Sequence, residues 1–154
     1  MIINTEADYQ RSKKLVAHSE KGFIQQRERL VKEGLSPQEI ERAMEPTMSF
    51  LEDIKDEVKW YENAKKKKFS PMTELTGIGR MLIALRISSG MSQTEFAERM
   101  DVAQSQISRD ENEEYQGITL ERAQKILAIF GARLESKVVL TSSHHGIPNR
   151  RKAA

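Results

Sequence analysis

The 154 residues carry 25 Lys+Arg against 23 Asp+Glu, a net charge of +2, with 38% hydrophobic and 31% charged residues. The absence of cysteine excludes disulfides, thiolate zinc sites, iron–sulfur clusters and cysteine nucleophiles, and it fits a reducing cytoplasm. Aromatics, at 6%, are too sparse for stacking platforms on single-stranded nucleic acid. No apolar run approaches the ~20 residues of a membrane span, and Met1–Gln10 lacks a signal-peptide core. The expectation is a soluble, cytoplasmic chain of one domain or two small ones.

From the N-terminus, Glu6 to about His18 reads as a helix carrying Ala7, Tyr9, Leu15, Val16 and Ala17. Phe23 to Lys32 reads as a second, with a narrow apolar stripe of Phe23, Ile24, Leu30 and Val31. Gly34 stops it. Ser36-Pro37-Gln38-Glu39 opens a third: Ser36 can cap, Pro37 suits the first helical position, and Glu39 completes a capping box. Ile40, Met44, Met48, Leu51, Ile54, Val58 and Tyr61 then form one apolar seam, which Pro46 should bend or restart. A seam of this kind serves as helix–helix core or as a dimerisation coiled coil. Lys65-Lys66-Lys67-Lys68, followed by Phe69-Ser70-Pro71, marks a boundary, because like charges repel and Pro71 disfavours helix at Ser70. The lysines are a solvated helix end or a phosphate contact.

Beyond the boundary the helices shorten. Leu75, Ile78, Leu82 and Leu85 share a helical face that ends at Gly90, with Gly77 and Gly79 weakening its first turn. Ser92 caps the next helix with Glu95 in the capping-box position, and Phe96, Ala97 and Met100 face inward. After a break at Asp101, Gln104–Asp110 forms a third short helix. Thr119 caps a fourth, carrying Leu120, Ala123, Ile126, Leu127 and Phe130 and closed by Gly131. Alternation over Leu134–Leu140 predicts one short strand. The chain thus divides into a helical region over 1–69, a domain over 70–140, and a basic, disordered tail over 141–154.

Met91–Asn112 concentrates the functional signal. Helices over Gln93–Met100 and Gln104–Asp110, separated by about three residues, have helix-turn-helix spacing, in which the second helix enters the DNA major groove. Ala97 lets the two helices cross closely, and Met100, Val102 and Ile107 bury the angle between them. Gln104, Ser105, Gln106, Ser108 and Arg109 point outward. Gln can pair in bidentate fashion with adenine and Arg with guanine, which is what base-edge reading requires.

Ser92-Gln93, Phe96-Ala97, Val102, Ser105, Ile107-Ser108-Arg109 and Glu111, with Arg86 upstream, resemble the Cro/C1-type (Xre) helix-turn-helix family of phage repressors and bacterial regulators. The resemblance runs from about Leu75 to Phe130. It implies an all-α, lambda-repressor-like fold with one short C-terminal strand. It also implies that Ala103, Gln104, Ser105 and Arg109 face bases, Ala103 near a thymine methyl. Ser92, Gln93, Thr94, Gln106 and Ser108 would lie at the DNA backbone, with Gln93 buttressing Gln104. Arg86 and Glu111 resemble the family's internal salt bridge, and Ala97 and Ile107 its structural positions. A homodimer on a near-palindromic operator follows, paired through strand Leu134–Leu140 or through the N-terminal seam.

Two departures stand out. Asp101 occupies a turn position where the family usually carries Gly, and Asp tolerates positive φ better than most residues. Asp110 replaces an apolar residue and, with Glu111, Glu113 and Glu114, makes an acidic cluster that should repel phosphate. Phosphate contacts are expected from Arg80, Arg99, Arg122 and the Lys65–Lys68 run. The start Ile2-Ile3-Asn4-Thr5-Glu6-Ala7-Asp8-Tyr9 and the stretch ending Trp60-Tyr61-Glu62 resemble HigA-like antitoxins, which repress their own operon and neutralise a toxin protein. A DNA-binding regulator, an antitoxin, and an interaction module that has lost DNA all remain open. No catalytic constellation, metal site or cofactor motif is legible: His18 and the pair His144-His145 lack a third ligand, and Gly77-Ile78-Gly79 lacks the lysine of a phosphate loop.

Overall fold

The computed structural model describes residues 2–139, which form six helices and no strand. Helix α1 (Glu6–Lys32) and helix α2 (Pro37–Lys65) make a long hairpin, and α3 (Ile78–Ser88), α4 (Gln93–Met100), α5 (Gln104–Asn112) and α6 (Leu120–Ile129) pack at its base. Thr5 caps α1 by accepting from the Asp8 amide, and Ser36 with Glu39 forms the capping box of α2. The expected break between two N-terminal helices does not occur. Gly22 lies in the middle of α1, where it costs about 1 kcal/mol relative to Ala, less than a second helix end would.

Pro46 likewise sits inside a continuous 29-residue α2. It forfeits one backbone hydrogen bond, but Met44 on one side and Leu51 and Ile54 on the other are buried and hold the two halves in line. The seam is not unbroken, however, because Met48 is 42% exposed. Leu75, expected on the inner face of α3, is also exposed and belongs to a 3-10 turn, Leu75–Gly77, that leads into the helix.

One hydrophobic core spans the hairpin base and the four short helices. Ile3, Tyr9, Tyr61 and Ala64 join Leu82, Ile83, Phe96, Ile107 and Ile126 in it. Tyr9 and Tyr61 stack at 4.9 Å, and burial pushes the Tyr61 phenol up to about 12. Arg80 fastens the hairpin from the other side. Its guanidinium meets Glu57 at 2.9 Å and Glu114 at 3.0 Å, and its Cζ lies 4.2 Å from the centre of the Trp60 ring.

The strand expected over Leu134–Leu140 is not formed: residues 132–139 have no regular secondary structure. A strand exists only through a ladder with a neighbour, and the described residues offer none. Leu140, the predicted disordered tail and His144-His145 lie outside the described residues.

Candidate nucleic-acid interface

Helices α4 and α5 form the predicted pair. Ser92 accepts from the Glu95 amide and Glu95 accepts in return from the Ser92 amide, which completes the capping box that starts α4. Asp101 ends the helix at φ 59°, ψ 49°, in the left-handed region. Asp101→Gly removes the Cβ strain there and raises stability by about 0.5–1 kcal/mol. A thermal melt checks this, and an unchanged or lower midpoint would show that Asp101 is unstrained. Ala97, Met100 and Ile107 are buried where the helices cross. Val102, expected with them, lies in the turn and is 37% exposed.

Helix α5 is fixed from behind by Ile107 and Glu111, both fully buried and four residues apart. Gln104, Ser105 and Arg109 are exposed, and Gln106 and Ser108 are half-buried. The Gln106 amide donates to Asp110 at 2.8 Å. Ala103, also exposed, is the N-cap residue and has no side chain with which to cap, so the first amides of α5 are left for solvent or an anion. Ser92 and Thr94 are exposed at the start of α4, and Gln93 beside them is buried.

Behind this face runs a continuous polar relay. Arg86, 4% exposed, grips Glu111 through Nε at 2.5 Å and Nη2 at 2.6 Å. Its remaining donors reach the Met91 carbonyl at 2.9 Å and the Asn4 carbonyl at 2.6 Å. Glu111 Oε2 also accepts from Gln93 Nε2 at 2.8 Å, and Gln93 Oε1 accepts from Gln104 Nε2 at 3.0 Å. Every member is satisfied, so this buried charge pair orients the groups attached to it. Asn4 closes the relay a second time: its side-chain amide donates to Asn112 at 3.1 Å. Sequence reasoning had placed Arg86, Glu111, Gln93 and Gln104 but not Asn4 or Asn112. Residues 2–5 thus form a strap across the relay, with Ile3 fully buried beside Asn4.

The acidic cluster is not a bare negative patch. Asp110 pairs with Arg122, Glu111 with Arg86 and Glu114 with Arg80. Only Glu113 of the four makes no ion pair among the described residues. Arg80 and Arg122 are thus each paired within the chain, and Lys65 is held by Glu6 at 2.9 Å. Arg99, Lys66, Lys67 and Lys68 remain exposed.

Among the described residues no group of acidic or histidine side chains could hold a metal ion, and no helix is long and apolar enough to cross a membrane. Residues 82–136 match the family model described as Helix-turn-helix. Comparison with the curated proteins and with the solved structures gives no match.

Proposed function

We propose that this chain, whose residues 82–136 match the helix-turn-helix family model, is a regulator of the Cro/C1 (Xre) type that reads duplex DNA sequence-specifically as a homodimeric transcriptional repressor. The observation that carries this reading is the division of α5. Gln104, Ser105 and Arg109 are exposed on one side while Ile107 and Glu111 anchor the other. Base reading demands short polar groups on a rigid mount, because a bidentate contact tolerates little angular error. In this reading Ala103 supplies an apolar contact, and Ser92, Thr94, Gln106 and Ser108 lie at the phosphates. Gln93, buried with its amide held between Glu111 and Gln104, supports Gln104 from behind. Its side chain is not offered to the DNA backbone as the resemblance implied.

The test is selection of bound sequences from a random duplex pool, run in parallel with Arg109→Ala. A two-half-site motif is expected. The variant should lose about 1–3 kcal/mol on that site and relax preference at one base pair. Equal weakening on random DNA would reduce Arg109 to a phosphate contact, and no enrichment at low salt would favour the interaction-module alternative. An antitoxin would share the DNA-reading face and differ in a toxin partner, so this selection leaves that alternative to the hairpin experiment below.

A further inference from the structure

The distal half of the hairpin reaches beyond the core, and one face of α1 there has no cover. A groove of about 390 Å³ is walled by α1 alone, with Ile24 and Val31 at its centre and Arg27 and Glu28 between them. Ile24 is 57% and Val31 56% exposed. Ala17, Ile24 and Val31 follow one another at seven-residue steps, the repeat of a helix seam that packs against a second helix. On one flank of this seam lie Glu20 and Arg27, also seven apart, and on the other Lys21 and Glu28. Lys21, Arg27 and Glu28 make no ion pair among the described residues; Glu20 is bonded to Lys55.

We infer that the occupant of this face is α1 of a second copy of the chain, lying antiparallel about a two-fold axis at Ile24. In that register Ile24 meets its own mate and Val31 meets the second copy's Ala17. Like flanks meet like flanks across an antiparallel pair. Glu20 therefore opposes the second copy's Arg27, and Lys21 opposes the second copy's Glu28. Each flank carries one acid and one base seven residues apart, so every opposed charge is of opposite sign. A two-fold interface must be complementary to itself, and this face is. A one-residue slip loses the match. An in-register parallel pair would also oppose unlike charges, Glu20 with the second copy's Lys21 and Arg27 with its Glu28. It sets the helix dipoles side by side, however, and unlike the antiparallel pair it would not be restored by mixing the two charge variants below.

The association itself does not depend on DNA binding. Its consequence for the operator does rest on the proposed function. From Ile24 back to Tyr9 the helix covers roughly 22 Å, so the two hairpin bases lie on the order of 45 Å apart or more. That exceeds the 34–36 Å of one DNA turn, so half-sites centred a single turn apart are not expected.

The experiment is sedimentation of the full chain, without DNA, at micromolar concentration. Wild type is expected to be a dimer. Lys21→Glu and Glu28→Lys each place two like-charged pairs in the interface and should raise the dimer dissociation constant more than about tenfold. Mixing the two variants should restore dimers, because the heterodimer regains both opposite pairs. Circular dichroism should show the same helicity for all species, since both positions are exposed. Monomeric wild type, or variants that dimerise as tightly as wild type, would overturn the proposal. So would variants that fail to pair with each other, and the hairpin would then be assigned to a different protein such as a toxin. A motif with half-sites one turn apart would refute the spacing while leaving the DNA-reading assignment intact.

Discussion

Replacing Glu111 with Ala lowers the stability of the chain by about 3–5 kcal/mol, the cost of leaving a buried charge without its partner. Arg86 would keep only the carbonyls of Met91 and Asn4, in a site where both members of the pair are almost fully shielded from water. At roughly 2–4 °C per kcal/mol for a chain of this size, the melting midpoint falls on the order of 10 °C. Site-specific binding falls further than stability alone accounts for. Gln93 loses the acceptor of its amide, and Gln104 then loses its fixed support. Binding measured well below the melting point separates the two effects. A midpoint within about 2 °C of wild type would mean that the pair contributes almost nothing and the relay is ornamental.

Gly79→Ala is the second large effect, and its sign comes from two opposed terms. On an ordinary helix Ala is favoured over Gly by about 1 kcal/mol. At Gly79 an added Cβ would lie 1.7 Å from the Glu114 carbonyl oxygen. The obstacle is backbone, in a turn where Glu114 and Tyr115 already hold φ of 49° and 54°, so it has little freedom to retreat. Overpacking of this kind costs about 1–3 kcal/mol or more, and steric exclusion wins. Net destabilisation of about 2 kcal/mol or more is expected in a denaturant titration. Glu114 also carries one end of the Arg80 bridge to α2, so moving it should loosen the hairpin. A stabilised variant would contradict the close approach.

What could be read from the sequence follows the range of the interactions involved. The caps at Ser36, Ser92 and Thr119 depend on residues three apart, and the structure forms all three. The left-handed turn at Asp101 and the burial of Ala97 and Ile107 were legible for the same reason. Pro46 misled because a local breaker was weighed without the packing that holds α2 together. The pairing of the acidic cluster was not legible because its partners are remote in sequence, 12 residues away for Asp110–Arg122 and 34 for Glu114–Arg80. No local pattern reveals which arginine will arrive opposite which carboxylate. The strand over Leu134–Leu140 failed differently. Alternation signals a strand only when a neighbouring strand exists, and within the described residues none does.

The strap over Ile3 and Asn4 bears on how the chain reaches this arrangement. Its hydrogen bonds join positions 82 and 108 residues apart, whereas α4 and α5 are separated by a turn of three residues. Contacts of such different range form on different timescales, because closing a longer loop costs more chain entropy before any contact rewards it. The short helices around α5 can assemble early, with Arg86 still open to water at the edge where Asn4 will dock. During synthesis, residues 2–5 leave the ribosome long before the groove that receives them exists. Closing the relay at Asn4 therefore requires a segment made early to meet a site completed by residues made about a hundred positions later.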